Sequence, residues 1–444
     1  MSTQDHGSEI TEEILDVGRE LLSHRTTHDG WGEFEYPADV AACLEYVRRY
    51  FSGEEFLVRE YGTQQTGYDG TAFEGWSPSV YDNPKPSLVV SFEETTEPEY
   101  LLHGHLDVVA PNARNRRAET TAVDDPEAAH FEPHREGERL YGRGTADMKV
   151  GVACLMWLMR AFAAAPNSPS VALAIVTDEE MGGFRGAGYL FRDVGYDPAV
   201  TISAEPSGVP EGFTVVTEQK GNFQLDVTVE GTPAHGSRPW EGDCANRSLV
   251  SFLSQLRERF PDIDDDRWQT TLNVGRVSGG ETRTALAERA IAELGIRFTD
   301  EYTPVDVMAD VADILGVTAA GTTAAELAAD ISRRTDSYQF EVVNDEPMQT
   351  NDEEAPEIRR LVDTCERVTG ITHDTHREHG ASDARFAAED GRVGITFGPR
   401  GFNLHGPDEY ADISSIEPYV EVVYQYVTDT VDHDTNSLEP LDAT

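Results

Sequence analysis

Lysine is nearly missing from this chain of 444 residues: Lys85, Lys149 and Lys220 are the only three, and every other Lys/Arg-type side chain is arginine. Basic charge of either kind is scarce, with 35 Lys+Arg against 82 Asp+Glu and a formal net charge of −47. No Lys/Arg-rich run offsets that balance locally, which argues against binding to nucleic-acid phosphates or anionic lipid surfaces. Cysteine is also sparse. Cys43, Cys154, Cys244 and Cys365 are scattered without a CxxC spacing, so neither a disulfide framework nor a thiolate zinc site is indicated, and a reducing cytoplasm fits. Long apolar runs are lacking too. The longest, Val150 to Met159, is stopped by Arg160, short of the roughly 18 residues of a membrane span. Met1 to Ile14 is polar and acidic, so no signal peptide is expected.

What is present is a globular composition. A hydrophobic fraction of 39% suffices for a sizeable core, and the length suggests two or three domains of roughly 150 residues each. A carboxylate-rich surface with almost no lysine is what a high-salt, halophilic cytoplasm would select, since a Debye length of about 3 Å at 1 M salt screens its self-repulsion. Small molecules and metal cations are the partners such a chain would take.

Helical periodicity is expected at Ile10–Leu22 and Val40–Phe51. Short apolar runs follow at Ser87–Phe92, Tyr100–Val109, Val171–Thr177 and Ala199–Ala204, with a buried crossover helix at Asp147–Ala164. This alternation predicts an α/β fold, a helix-covered and mostly parallel sheet. From about Val215 the pattern changes to strand, helix, strand, strand, helix, strand, the split order of a ferredoxin-like α+β module. Its pieces are Gln219–Glu230, Asn246–Phe260, Thr270–Val277, Arg289–Thr299, Val305–Leu315 with Ala324–Arg333, and Tyr338–Val343. Helix–strand alternation then resumes at Ile358–Val368, Gly394–Phe397 and Ile416–Val427. The second module is therefore inserted into the first, giving residues 1–216 and 347–444 as one catalytic domain and 217–346 as the insert. Gln64–Pro86 and Pro111–His130 are expected to be long surface loops.

In an open α/β sheet ligands bind outside the carboxyl ends of the strands. Three such ends carry metal-type side chains: His103-Gly104-His105-Leu106-Asp107, then Asp178-Glu179-Glu180, then Glu205-Pro206-Ser207. Asp147 stands at the mouth of the crossover helix and His405 follows the Gly394–Phe397 strand. Each has an ordinary reading when taken alone: a structural histidine, a solvated acidic loop, a helix N-cap, a loop histidine. Together, carboxylates that repel one another at a sheet edge call for a cation, and of two adjacent glutamates one can bind metal while the other serves as general base.

These motifs, in the order His105-Leu106-Asp107, Gly142-Arg143-Gly144 with Asp147-Met148-Lys149, Asp178-Glu179-Glu180, Glu205-Pro206-Ser207 and His405 with Asp408-Glu409-Tyr410, resemble the two-zinc amidohydrolases and exopeptidases that include succinyl-diaminopimelate desuccinylase, acetylornithine deacetylase, aminoacylase and glutamate carboxypeptidase. The resemblance spans nearly the whole chain. It implies one Zn²⁺ on His105 and Glu205, a second on Glu180 and His405, Asp147 bridging, Glu179 as general base and Asp107 orienting His105. Co²⁺ and Mn²⁺ also suit this ligand set. It further implies a cis peptide at Asp147-Met148. The insert would be a lid and homodimerisation domain whose His235, in Gly231-Thr232-Pro233-Ala234-His235-Gly236, crosses to the partner's site to stabilise an oxyanion. Arg297, Ser382 and Arg385 resemble substrate-carboxylate contacts.

Three departures bear on substrate. Thr284-Ala285-Leu286-Ala287 replaces the family's usual Asn–x–x–Pro, Gly295 stands where an acid is common, and Ala381 where the desuccinylase loop has Thr. The implied activity is metal-assisted amide hydrolysis of a small N-acyl amino acid or peptide with a free carboxylate. A dipeptidase or carboxypeptidase of the same family is the alternative. A two-metal phosphoesterase lacks its basic phosphate clamps, and an inactive binding homologue would lack a ligand or the base.

Overall fold

The computed structural model describes residues 3–28, 34–62, 85–111, 128–165, 169–207, 212–260, 267–371, 374–428, 438 and 440–441. Its larger sheet has nine strands. β1 (Leu57–Tyr61) and β2 (Ser87–Ser91) form an antiparallel edge. β2 then pairs with β6 (Val171–Val176), and β6 runs parallel to β3 (Tyr100–His105). β3 is parallel to β7 (Val200–Ser203), and β7 to β15 (Val393–Thr396). Beyond β15 lie β8 (Val215–Gln219), β13 (Gln349–Thr350) and β14 (Thr375–Glu378). The centre β6-β3-β7-β15 is thus parallel and both flanks carry antiparallel pairs, as expected for a helix-covered sheet.

Strands β2, β3, β6 and β7 are buried along their whole length because both faces are covered. One face packs Leu102, Leu173 and Ile202 against α1 (Thr3–Leu22), α3 (Val150–Ala164), α7 (Pro356–Thr369) and α8 (Ile416–Thr428), with α2 (Pro37–Tyr50) beside α1. The other packs Leu101, Ala172 and Ala174 against Phe184, Phe191 and Phe386. α3 is apolar on nearly every side and buried accordingly. It also comes unusually close to the sheet: a Cβ on Gly151 would stand 2.3 Å from the Ala204 carbonyl oxygen, so only glycine allows helix and strand end to meet beside Glu205.

Residues 221–346 build a separate antiparallel sheet with its own core. Its order is β10 (Thr271–Gly279), β11 (Arg289–Phe298), β9 (Gly221–Glu230), β12 (Tyr338–Glu346). Helices α4 (Ala245–Arg257), α5 (Pro304–Leu315) and α6 (Ala324–Arg334) cover it, with Phe223, Phe252, Ile296 and Ile331 in the core. Thr303 with Asp306 and Thr323 with Glu326 form capping boxes that start α5 and α6. This is the ferredoxin-like arrangement read from the sequence. A third sheet, β4 (His134–Glu136), β5 (Arg139–Tyr141), β16 (Gly401–Phe402) and β17 (Tyr410–Asp412), was not anticipated, because strands of two or three residues carry no periodicity. Most of the loops expected at 64–86 and 111–130 lies outside the described residues.

Candidate active site

Because β6, β3 and β7 are parallel neighbours, their carboxyl ends open on one edge of the sheet. His105 ends β3, Glu179 and Glu180 follow β6, and Glu205 follows β7. The tight turn Thr145–Lys149 brings Asp147 to the same edge, and its Asp147–Met148 peptide bond is cis.

His105 is fully buried. Its Nδ1 donates to the backbone carbonyl of Asp107 at 2.9 Å, and its Nε2 faces Asp147 Oδ1, 3.0 Å away. His405 Nε2 lies 3.1 Å from the other oxygen of that carboxylate, Oδ2, and 3.3 Å from Glu180 Oε1. Two imidazoles therefore flank one carboxylate. Donor atoms of Asp147, Glu180 and His405 all fall within 4.8 Å of one another.

Asp107 is fully buried. Its carboxylate accepts from the backbone N–H of Glu179 (3.3 Å) and Glu180 (3.0 Å), so it fixes the loop that carries both glutamates as well as standing 3.5 Å from the His105 ring. Behind it, His28 Nε2 donates to the Thr177 carbonyl at 2.9 Å and lies 3.4 Å from Asp107 Oδ2, while Lys85 Nζ donates to His28 Nδ1 at 3.0 Å. Burial would raise the Asp107 carboxyl, but the contacts from His105 and His28 outweigh it and hold the group well below the usual range.

The other acids are pushed the opposite way. Burial, then the charge of Asp147, lifts Glu205 to about 8. Burial, then the charge of Glu205, lifts Glu179 well above its ordinary value. Glu205 Oε1 is buried with no hydrogen-bond partner. The contacts to Asp147 and Glu180 raise His405 to about 10. An orphaned buried carboxylate oxygen and acids raised by burial and by one another's charge describe a site short of positive charge. Two imidazole nitrogens with carboxylate oxygens, and no thiolate, fit divalent Zn²⁺, Co²⁺ or Mn²⁺.

Asp147, Glu179, Glu180, Glu205 and His405 line a cavity of about 430 Å³, whose wall also includes Gln219, Asn222, Arg297, Glu346 and Glu378. Arg297 reaches it from β11, on the inserted module. Of the remaining residues singled out in the sequence, Ser382 is fully buried beside Glu205 and Arg385 is fully buried beneath the Glu179 loop; neither is in the cavity wall. His235 is exposed, pairs through Nδ1 with Ser237 Oγ at 2.7 Å, and is not brought to this chain's cavity.

Sequence reasoning missed His28, Lys85, Asp383 and Glu346. Glu346 at the end of β12 accepts from Asn222 at 3.1 Å and lies 3.3 Å from Arg385 Nη2, joining the inserted sheet to the short helix Ala384–Ala388. Asp383 stands 3.3 Å from His103 Nε2 and fills the space where Gly183, at φ +67°, would otherwise carry a side chain. Only Asp383 had a signal, its place between Ser382 and Arg385.

Residues 101–429 match the description Peptidase family M20/M25/M40. Succinyl-diaminopimelate desuccinylase of Gluconobacter oxydans is 28% identical over 354 residues, covering 78% of this chain and 85% of that protein. A probable carboxypeptidase of Uncinocarpus reesii is 26% identical over 292 residues, covering 63% of this chain and 61% of that one. A tripeptidase structure from Staphylococcus aureus shares the fold with a TM-score of 0.67 at 18% identity, over 94% of this chain and 98% of that one.

Proposed function

The chain belongs to peptidase family M20/M25/M40, metal-dependent hydrolases that act on amide bonds, and from that premise we propose that it hydrolyses an amide of a small N-acyl amino acid or peptide bearing a free carboxylate. The observation that carries this reading is the single cavity with the Asp147 cluster at one wall and the Arg297 guanidinium at another. Arg297 would take the carboxylate and so place the scissile amide against the acids.

His105, Asp147, Glu180, Glu205 and His405 would hold two Zn²⁺ ions, with Asp147 shared between them. Bound ions supply Lewis-acid polarisation of the amide carbonyl and lower the pKa of the attacking water. Glu179 takes a proton from that water at its carboxylate and returns it to the departing amine. Asp107 keeps Glu179 in place through the backbone bond described above. Ser382 would sit behind Glu205 as support, and Arg385, which resembles a substrate-carboxylate contact in sequence, would instead support Glu179 from its buried position.

The insert, read as 217–346 in the sequence and built from residues 221–346 because Val215–Gln219 is a strand of the larger sheet, would act as a lid and as the dimerisation unit, and His235 would serve the partner's site, donating to the oxyanion. The exposed position of His235, with Trp240 and Val250 exposed nearby in sequence, supports that assignment. Among the described residues no helix is long and apolar enough to cross a membrane. Charge and composition support a halophilic, cytoplasmic enzyme without nucleic-acid or membrane partners.

The deciding experiment is elemental analysis of protein purified in high salt, with turnover of N-succinyl and N-acetyl amino acids and dipeptides before and after chelation. Two metals per chain and chelator-sensitive hydrolysis are expected. Glu179→Gln should lower turnover by about 100-fold or more with metal retained; a metal-free chain that stays inert after Zn²⁺ addition overturns the reading.

A further inference from the structure

His405 has an unusual backbone. It and Asn403 are the non-glycine residues with positive φ among those described, each at 59°. The left-handed region is a minor one for side chains with a Cβ, so a neighbour must hold His405 there.

That neighbour is Arg143. Its Nη2 donates to the carbonyl oxygen of His405 itself at 3.0 Å, and its Nη1 donates to Glu409 Oε2. Glu409 Oε1 in turn accepts from the backbone N–H of Ala146 (3.0 Å) and of Asp147 (3.2 Å). Arg143 and Glu409 are both 2% exposed, so water does not compete for these bonds. One buried ion pair thus ties the turn that presents Asp147 to the loop that presents His405, segments more than 250 residues apart in sequence. His105 and Glu205 are outside this arrangement, since they are set by the ends of β3 and β7.

We propose that the Arg143–Glu409 pair is a positioning device that sets the affinity of the metal position served by His405 and Glu180 more strongly than that of the position served by His105 and Glu205, because it holds His405, which serves one position only, as well as the shared Asp147. The proposal rests on the two-metal reading above. Arg143 and Glu409 point away from the reacting atoms and act only through the residues they hold. Arg143 fixes the strained His405 backbone, and Glu409 fixes the turn against it.

The test is titration of chelator-stripped protein with Zn²⁺ and with Co²⁺ in competition with a chromophoric chelator, which reads affinity without turnover. Wild type should take two equivalents. The double variant R143M/E409Q, which leaves no unpaired buried charge, should take the first equivalent no more than a few-fold more weakly than wild type and the second about 10- to 100-fold more weakly. Should the double variant fail to fold, R143K keeps the charge but loses the forked contact, and it too should weaken the second equivalent more than the first. Two equivalents at wild-type affinity in a folded variant, or equal weakening of both, overturn the proposal. Fewer than two equivalents in wild type would remove the two-metal reading and this proposal with it, whereas wild-type behaviour of the variants removes this proposal alone.

Discussion

Arg385 Nη1 lies 3.9 Å from Glu179 Oε1, with the guanidinium fully buried and its Nη2 donating to the Gly182 carbonyl at 2.8 Å. The cation therefore sits beneath the proposed base, on the side away from the cavity. Arg385 also reaches Glu346 at 3.3 Å, at the end of the strand that leads back from the insert. Such a placement stabilises an ionised Glu179 more readily than it grips a substrate. Arg385→Met is expected to lower kcat by about 10- to 100-fold with little change in KM, while Arg297→Met should mainly raise KM. Steady-state kinetics on a carboxylate substrate separates the two. A raised KM with unchanged kcat in the Arg385 variant would return that residue to the substrate.

The His28–Asp107 contact gives a second expectation. Lys85 is held over the Phe34 ring at 3.9 Å and hydrogen-bonded to His28, which meets the carboxylate that carries the Glu179–Glu180 backbone. His28→Ala leaves Asp107 buried with one donor fewer and Lys85 without this acceptor. Metal affinity should fall by about tenfold or more, with a lowered melting temperature. Chelator competition checks this; unchanged affinity would confine His28 to packing.

β3, β6 and β7 were legible in the sequence because each is an apolar run that stops at His105, Glu179 or Glu205, where residue type changes abruptly. α3 was legible from its apolar character. β14, Thr375–Glu378, was not, since every residue is polar and none is fully buried. Among site residues, His105, Asp147, Glu180 and His405 announce themselves as metal-type side chains in ordered motifs. His28 does not. A single histidine in a polar segment takes its meaning from Thr177 and Asp107, 149 and 79 residues away. Arg385 was visible as a charged residue in a motif, but burial of an arginine depends on the acids around it, which sequence order does not reveal.

Asp345 carries a pH-dependent cost. Burial, then the charge of Glu346, pushes its carboxyl from 3.8 up to about 6. The folded chain therefore binds this proton more tightly than the unfolded one, and ionisation destabilises the fold. The cost is absent below about pH 4, grows through about pH 6 and is complete above it. Asp345→Asn should add about 1–3 kcal/mol at pH 7.5 and nothing at pH 3.5. Thermal melts across this range provide the measurement, and an equal gain at both pH values would contradict the assignment.

Salt should act on the whole molecule in the stabilising direction. Two effects oppose each other. Screening weakens surface ion pairs such as Arg276–Glu293 at 3.0 Å, and it also weakens repulsion among unpaired carboxylates. Pairs of this exposed kind contribute about 0–1 kcal/mol each, and 35 basic residues leave most of the 82 acids with no cation to pair with. Repulsion is therefore the larger quantity, and a Debye length falling from about 10 Å at 0.1 M to about 3 Å at 1 M removes most of it. The melting temperature should rise by about 10 °C or more from 0.1 to 2 M KCl. Sucrose, which changes no screening, separates this from general exclusion effects. A melting temperature that responds to sucrose but not to KCl would show that self-repulsion does not limit this fold.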